Sequence, residues 1–389
     1  MLELLWLLLP VAAASGWFAA RRSARDEHAR QHKKDLSSDY FRGLNYLLNE
    51  QPDKAIEVFI KMVEIDSETV ETHLALGNLF RRRGEVDRAI RIHQNLIARP
   101  TLSRDQRAQA LLELGEDYMR AGLFDRAESL FLELIDLALH TERALEHLVD
   151  IYQQEQDWEQ AIAICRRLQE GSGRAMNEVI AQYYCELAER AGHESDPTLE
   201  LQMIRRALSY DRDCVRASIL LGRWEEKKGD FKAAIRAYKR VSEQDIDFTP
   251  EIIEPLEECY RQTGSPGALM SFLHDVLDRY RGISPALALA ERIRDEQGER
   301  PALEFITQQL RKRPSVRGLN WLIELSLRHS VGEAREDLMI LHDLTSKLLE
   351  GRPVYECNKC GFTGKVLHWQ CPSCKSWNSV KPIRGVVGE

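Results

Sequence analysis

The 389-residue sequence is poor in aromatic residues and contains none of the common catalytic motifs. Phe, Trp and Tyr make up 7 % of the chain, which is low for an all-β fold, whereas charged residues reach 30 %. It has no P-loop, dinucleotide-binding glycine motif, H-E-x-x-H motif or G-x-S-x-G motif. The net charge of −8 argues against a protein that coats nucleic acid, because such a protein requires a basic surface. We therefore expect a helical protein that is not an enzyme and binds no nucleic acid.

The eight cysteines fall into two groups. Cys165, Cys185, Cys214 and Cys259 stand alone in apolar helical patterns, where we expect buried small side chains. The other four lie within eighteen residues near the C-terminus, as two Cys-x-x-Cys pairs. This distribution is unlike a secreted disulfide scaffold and is typical of a reducing compartment with one metal site.

Residues 1–20 have the composition of a transmembrane helix. Leu2–Ala20 carries one charged residue, Glu3, and spans about 30 Å, the thickness of a hydrocarbon core. The basic linker at residues 21–34 places its side of this anchor in the cytoplasm. The alternative, a cleaved signal peptide, would require a positive segment before the apolar run, which is missing. We predict an uncleaved single-pass anchor with its N-terminus outside and the body of the chain in the cytoplasm.

Residues 35–350 contain a repeated pattern of helical hairpins. Three segments share Leu-Gly, a second glycine seven residues after the first glycine, and an alanine twelve residues after the first glycine. The segments begin at Leu76, Leu114 and Leu221. The alanine also recurs 34 residues apart, from Ala55 to Ala89. This pattern resembles the tetratricopeptide repeat, which implies an all-α superhelix of antiparallel helix pairs.

The small residues of the repeat have expected structural roles. The first glycine and the alanine leave room for the partner helix, and the second glycine ends the first helix in a left-handed conformation. Aromatic side chains fill the gaps between hairpins, which must stack to bury their apolar faces. The pattern weakens after residue 176, where apolar spacing still predicts hairpins at 177–211, 251–279, 285–311 and 319–350.

An array of this kind has a concave groove, lined mainly by the first helix of each pair, that is expected to bind a protein partner. The alternative for each lining residue is an ordinary solvated surface. The candidate groove residues are Asn45, Asn78, Arg81, Arg82, Glu116, Arg120, Arg223 and Glu226.

Residues 351–389 are predicted to form a separate metal domain. Fewer than forty residues cannot build an adequate apolar core, and four thiolates on one ion supply the missing stability. The predicted ligands of one iron or zinc ion are Cys357, Cys360, Cys371 and Cys374. His368 is the only competing ligand nearby. Both metals accept tetrahedral sulfur, so the choice between them stays open.

The metal domain resembles rubredoxins and zinc ribbons through Gly361 and Pro372. Lys375 stands where rubredoxins have glycine, and the loop between the cysteine pairs is shorter, which weakens the case for electron transfer. Aromatic side chains are expected to cover the site and dock the domain onto the last helices, or else to face a partner. These are Tyr355, Phe362, Trp369 and Trp377. The mildly basic tail leaves a nucleic-acid-binding ribbon as a rival interpretation.

The order of anchor, tetratricopeptide-like repeats and rubredoxin-like domain resembles the lipopolysaccharide assembly protein B family of Gram-negative bacteria, over the whole chain. The resemblance implies an inner-membrane adaptor that presents the lipid A pathway deacetylase to a membrane AAA protease for degradation. It also implies an inner-membrane regulatory partner that restrains the adaptor. Scaffolding of another envelope pathway and rubredoxin-like electron transfer are the alternatives, and homo-oligomerisation stays open.

Overall fold

The structure, a computed structural model, covers most of the repeats and the metal domain. It describes residues 41–43, 45, 46, 48, 49, 51–65, 69–386 and 388. The predicted anchor at residues 1–20 and the predicted linker at residues 21–34 lie outside these residues. Within the described ranges, no helix combines the length and the apolar character needed to cross a bilayer.

The described chain is helical up to residue 349 apart from short connections, which confirms the predicted all-α repeat fold. In chain order the helices are α1 (Pro52–Ile65), α2 (Val70–Arg82), α3 (Val86–Ile97), α4 (Arg104–Ala121), α5 (Phe124–Asp136), α6 (Thr141–Glu155), α7 (Trp158–Ser172), α8 (Asn177–His193), α9 (Pro197–Tyr210), α10 (Val215–Lys228), α11 (Phe231–Gln244), α12 (Pro250–Gln262), α13 (Pro266–Arg279), α14 (Ser284–Gln297), α15 (Glu299–Lys312), α16 (Val316–Leu327) and α17 (Glu333–Leu349). A 3₁₀ turn, Ile246–Phe248, precedes α12.

The chain divides into two compact units. Unit 1 contains the described residues up to Asp157, together with residues 170–172, and includes the helix pairs α2–α3 and α4–α5. Unit 2 contains residues 158–169 and the chain from Gly173 onward. It holds five helix pairs within the described residues, from α8–α9 to α16–α17, and the C-terminal strands. Helix pairs are therefore present at all four places where the weaker pattern predicted them.

A glycine in one helix contacts a buried ring sixteen residues later in the next helix. A Cβ atom at Gly115 would lie 2.5 Å from Cε1 of Phe131, and one at Gly222 would lie 2.4 Å from Cε1 of Tyr238. The rings of Phe131 and Tyr238 are fully buried. Only glycine permits this approach, so the predicted role of the first glycine in each repeat is confirmed.

The turns between paired helices also follow the sequence pattern. Gly84, Gly122 and Gly229 have φ values of +82°, +73° and +84°, in the left-handed region that ends a helix without a steric penalty. At the end of α6 the same conformation is adopted by Gln156, with φ of 59°. The side chain of Asp230 then caps α11 by accepting a hydrogen bond from the backbone N–H of Ala233 at 3.0 Å.

Three short strands follow α17 and frame the metal domain. They are β1 (Tyr355–Cys357), β2 (Thr363–Gly364) and β3 (Val380–Pro382). Both neighbours pair with β1 in antiparallel fashion, which gives the order β2-β1-β3. Tyr355 pairs with Gly364 on one side, and Glu356 pairs with Lys381 on the other.

We predict that Gly115→Ala lowers the free energy of unfolding by about 1–3 kcal/mol, the usual cost of overpacking a filled site. The new methyl group would collide with the buried ring of Phe131. Gly171→Ala is the matched control, because a Cβ there meets nothing within 4 Å. Urea unfolding followed by circular dichroism should separate the two variants. Equal losses in both would contradict the packing role.

Candidate metal centre and its docking surface

Two tight turns carry the four clustered cysteines. In the first, the N–H of Gly361 donates to the carbonyl oxygen of Cys357 at 2.9 Å, and Gly361 has φ of +74°. In the second, the N–H of Lys375 donates to the carbonyl oxygen of Cys371 at 2.9 Å, and Lys375 has φ of +58°. The turns are thus two copies of one geometry, and a lysine adopts the conformation that glycine adopts in the other.

The turns bring the four sulfurs together. All four Sγ atoms lie within 4.8 Å of one another. The Sγ atoms of Cys357 and Cys374 are 3.7 Å apart, and those of Cys360 and Cys371 are 3.6 Å apart. A tetrahedron with metal–sulfur bonds of about 2.3 Å has edges of about 3.8 Å. The four cysteines are therefore positioned to bind one metal ion, and iron and zinc both suit such a site.

Hydrogen bonds favour the thiolate form at two of the four cysteines, Cys357 and Cys374, whereas burial raises the pKa of Cys371 to about 11. Burial opposes ionisation of Cys357, but the hydroxyl of Ser379 and the backbone N–H groups of Lys359 and Cys360 lower the pKa of this thiol to about 6. Hydrogen bonds from the side chain and backbone of Ser376 also lower the pKa of Cys374. Thiolate is the form that binds a metal. Four thiolates would complete the coordination and leave no open position for Lewis-acid catalysis.

His368 takes no place in the cysteine cluster. Its ring meets Phe362 edge-on, with the ring centroids 6.0 Å apart. Phe362 and Tyr355 pack against the buried cysteines and Val380, so they cover the site as predicted.

The two tryptophans of the metal domain dock it onto helical parts of unit 2, the same unit to which the domain belongs. The ring centroid of Trp377 lies 6.3 Å from that of Trp158 in α7 and 5.7 Å from that of Tyr183 in α8. Trp369 stacks on Phe248 of the 3₁₀ turn, with centroids 5.4 Å apart. Edge-on and stacked contacts of this kind contribute about 0.5–1.5 kcal/mol each beyond the burial of area.

Polar contacts fix the position of the docked domain. The hydroxyl of Tyr355 donates to Glu251 of α12 at 2.6 Å. Lys381 forms an ion pair with Asp245 at 2.7 Å, and Arg384 forms one with Asp247. These charges are partly buried, so their attraction is less screened by solvent than that of fully exposed pairs.

A buried arginine lies beneath the docked domain. The side chain of Arg216 is 4 % exposed and bonds to Glu186 at 2.8 Å and to Glu189 at 3.0 Å. Its guanidinium lies 5.9 Å from the ring centroid of Trp369. Burial opposes its charge, but Cys185, Glu189 and Glu186 together outweigh that cost and raise the pKa of Arg216. The metal domain therefore covers a compensated charge as well as apolar rings.

The position of the metal domain corrects one expectation. The sequence predicted docking onto the last helices, whereas the aromatic side chains contact α7, α8 and the 3₁₀ turn. One backbone bond reaches the last pair, from the N–H of Val316 in α16 to the carbonyl oxygen of Val386 at 2.7 Å. The prediction was wrong because the complementary rings, such as Trp158, are far from the metal domain in sequence.

The candidate groove residues separate into two groups. Arg81 is engaged within unit 1, where it bonds to Glu113 at 2.7 Å, Glu116 at 2.8 Å and Asp117 at 2.8 Å. Glu226 accepts a hydrogen bond from the hydroxyl of Tyr238 at 2.8 Å. Asn78 is partly buried. The exposed members of the set are Asn45, Arg82, Arg120 and Arg223.

The four scattered cysteines are all buried, as predicted. Two of them are neighbours, which the sequence did not reveal. The Sγ atoms of Cys185 in α8 and Cys214 at the start of α10 lie 3.8 Å apart. Burial raises the pKa of Cys165 to about 12 and that of Cys259 to about 11, so these thiols stay protonated.

Family models match both parts of the fold. The model described as "Rubredoxin metal binding domain" matches residues 355–382. Models described as "Tetratricopeptide repeat" match residues 72–107, 112–175 and 201–246. The repeat assignment in the first half and in the middle of the chain thus agrees with the helix pairs of the structure.

Relatives that match over the full length include proteins of two bacteria. Lipopolysaccharide assembly protein B of Escherichia coli K12 is 42 % identical over 393 residues, covering 100 % of each chain. The Haemophilus influenzae protein of the same name is 37 % identical and covers 98 % of each chain. Among solved structures, the Pseudomonas aeruginosa pilF structure is 17 % identical and covers 56 % of this chain and 98 % of that chain. Its TM-score of 0.32 is too low to add to the assignment.

We predict that Cys371→Ser abolishes stable metal binding, because it removes one of four sulfurs and its hydroxyl is a poorer ligand. Elemental analysis should show less than one ion per chain, and the fluorescence of Trp369 and Trp377 should shift as these rings lose their contacts. Cys165→Ala is the control, since that thiol lies in α7 and not in the cluster. Normal metal content in Cys371→Ser would refute the ligand assignment.

We predict that Lys375→Gly makes the metal domain more stable, by about 1 kcal/mol, because it removes the left-handed strain of a residue with a Cβ atom. Gly361→Ala should act in the opposite direction at the matching position of the other turn. The rate of metal loss to a chelator is the measurement. Faster loss from Lys375→Gly than from the unaltered chain would contradict the strain argument.

Proposed function

The chain belongs to the lipopolysaccharide assembly protein B family, and from this premise we propose that it acts in lipopolysaccharide assembly as a non-enzymatic adaptor. The identity of 42 % over the full length of both chains is the observation that carries the proposal. Repeats of this type are used for protein–protein contacts. A metal bound by four thiolates stabilises a small domain and offers no position for substrate.

The specific role that we propose is regulation of lipopolysaccharide synthesis through proteolysis. The adaptor presents the lipid A pathway deacetylase to a membrane AAA protease, and an inner-membrane regulatory partner restrains it. Residues 1–20 anchor the adaptor as a single-pass inner-membrane protein, with the N-terminus in the periplasm and the bulk of the chain in the cytoplasm. Confinement to the membrane raises the effective concentration of the adaptor near a membrane protease without any new contact.

The surface that we assign to client binding lies where the metal domain meets the repeats in unit 2. A cavity of about 380 Å³ has walls from α8, α10, α12 and the metal domain. Its charged lining includes Arg223 and Lys365 beside Glu189 and Glu251, and Leu367 adds apolar area. A site with both signs of charge and apolar area suits a peptide segment better than a single small anion.

The cavity explains why an adaptor would need both parts of the chain. Its walls exist only when the metal domain is folded and docked, because Lys365 and Leu367 come from that domain and Arg223 from a repeat. Loss of the metal would therefore remove half of the site while leaving the helix pairs intact. This dependence supports a client surface made jointly by the repeats and the metal domain.

We predict that Arg223→Glu combined with Lys365→Glu impairs client delivery. Both side chains are exposed, so the double variant should fold and bind metal normally while the charge of the cavity wall is reversed. In cells that produce only this variant, immunoblotting should show deacetylase accumulation of several-fold. Lys232→Glu is the matched control, because Lys232 is an exposed lysine on α11 outside the cavity.

Normal deacetylase levels in the double variant would refute the assigned surface. Crosslinking in intact cells, followed by identification of co-purified membrane proteins, tests the wider role. Recovery of the protease and the deacetylase would support the adaptor role, whereas partners from a different envelope pathway would point to a scaffold of that pathway. A reversible one-electron couple at the cysteine cluster would instead favour electron transfer.

A further inference from the structure

Cys185 and Cys214 form a pair of buried thiols outside the metal cluster. Cys185 lies in the middle of α8, and Cys214 immediately precedes the first residue of α10. These residues are 0 % and 1 % exposed, and their Sγ atoms lie 3.8 Å apart as free thiols. A disulfide bond is about 2.05 Å long, so each sulfur would have to move by roughly 1 Å to form one. The two helices therefore hold these sulfurs close to bonding distance.

The surroundings of Cys214 favour its thiolate. This residue caps the start of α10, where the first N–H groups of the helix produce a partial positive charge. The thiol of Cys185 and the backbone N–H of Ala217 donate hydrogen bonds that lower the pKa of Cys214, although burial opposes this effect. The side-chain amide of Gln182 also donates to the same sulfur at 3.6 Å. Thiols in such positions at helix N-termini are the reactive ones in proteins.

Cys185 has the properties of a thiol that resolves an oxidised neighbour. Burial raises its pKa, so it keeps its proton while Cys214 is the better nucleophile. Cysteines that sense oxidants commonly lie next to such a resolving thiol. The pair therefore has two distinguishable roles, which follow from the different positions of the two sulfurs.

The other two scattered cysteines differ from this pair. Cys165 and Cys259 are both 0 % exposed. Within the part of the chain that the structure describes, neither sulfur takes part in a hydrogen bond or lies beside a second sulfur. Burial alone thus does not distinguish the cysteines, and Cys165 and Cys259 serve as internal controls for the reactivity of the pair.

A small oxidant can approach the pair through the cavity where the metal domain meets the repeats. Glu189, one helical turn after Cys185, and Arg216, two residues after Cys214, both line this cavity. One turn of helix spans about 5.4 Å, so the backbone that carries Cys185 lies close to the cavity wall. The volume of about 380 Å³ is ample for hydrogen peroxide, which is little larger than water. Local opening of the docked domain, whose Trp369 ring covers Arg216, would widen this route.

We propose that Cys185 and Cys214 are a redox-sensitive site at which a peroxide converts two thiols to a disulfide. The thiolate of Cys214 attacks one oxygen of hydrogen peroxide, the O–O bond breaks and hydroxide leaves, which produces a sulfenic acid. The sulfur of Cys185 then attacks the sulfur of Cys214, the S–O bond breaks, and the oxygen departs as water with the proton of Cys185. In total the two thiols lose two electrons and two protons, and one peroxide becomes two waters.

The disulfide would join α8 to α10 at the surface on which the metal domain docks. Arg216 follows Cys214 closely in α10 and bonds to Glu186 and Glu189, which follow Cys185 in α8. Movement of the two sulfurs towards each other would therefore shift these charges beneath the metal domain. This inference concerns the chemistry of the thiol pair and does not depend on the proposed client surface.

The test uses the purified full-length chain loaded with zinc, and hydrogen peroxide as the oxidant. Samples are taken before zinc is released, free thiols are alkylated, and the peptides are identified by mass spectrometry. We expect the peptides that contain Cys185 and Cys214 to be joined, about tenfold faster than Cys165 is oxidised. Dithiothreitol should separate them again. This measurement is made on the unaltered chain, so it does not depend on the folding of a variant.

Two matched variants complete the test. Cys214→Ser should prevent the linkage and leave Cys185 reduced, whereas Cys165→Ser removes another buried thiol and should leave the linkage intact. The proposal would be overturned if both thiols stay reduced in peroxide, if Cys165 is oxidised equally fast, or if the linkage forms only after zinc is released. The cavity variant Arg223→Glu with Lys365→Glu should still form the disulfide, which separates this result from the proposed client surface.

Discussion

Close contact between a glycine in one helix and a buried ring in the next determines how the repeats can pack. The contact recurs at Gly115 with Phe131 and at Gly222 with Tyr238. At Gly77 the ring belongs to His93, whose Nδ1 atom lies 2.5 Å from Asp117. Asp117 in turn bonds to Arg81 of α2. The ring that packs on Gly77 is therefore also part of a polar network that joins α2 to α4. One spacing therefore fixes the distance between paired helices and, in unit 1, joins neighbouring pairs.

The metal domain is stabilised by metal coordination and by docking rather than by close packing of helices. Its strands contain two or three residues each, which is too little for a core of its own. A metal held by four thiolates would fix the two turns, and the docked rings of Trp369 and Trp377 then contact α7, α8 and the 3₁₀ turn. Arg216 lies at the docking surface. Glu186 and Glu189 compensate its charge, and the ring of Trp369 covers its guanidinium group. Removing one partner of such a buried pair typically costs about 3–5 kcal/mol.

The sequence predicts the features that depend on neighbouring residues. The Leu-Gly pattern predicts the helix pairs, and each Cys-x-x-Cys turn is local, so the ligand set follows from spacing alone. The docking position was not predictable, because Trp377 and Trp158 are more than two hundred residues apart and neither has a distinctive local pattern. The contact of Cys185 with Cys214 was missed for the same reason. Arg81 could not be recognised as an internal ion-pair partner, because its acidic neighbours are on α4.

An array of helix pairs can be extended by a pulling force, because each pair contacts only its neighbours along the chain. In unit 2 the metal domain contacts α7 and α8 through Trp377 and the region before α12 through Trp369 and Lys381. The metal domain therefore connects several helix pairs. Separating these pairs requires breaking the contacts of the metal domain as well. A pulling force would therefore meet greater mechanical resistance in this part of the chain than in an array without a docked domain. That resistance would depend on the metal ion, because its four sulfur ligands hold the docked domain together.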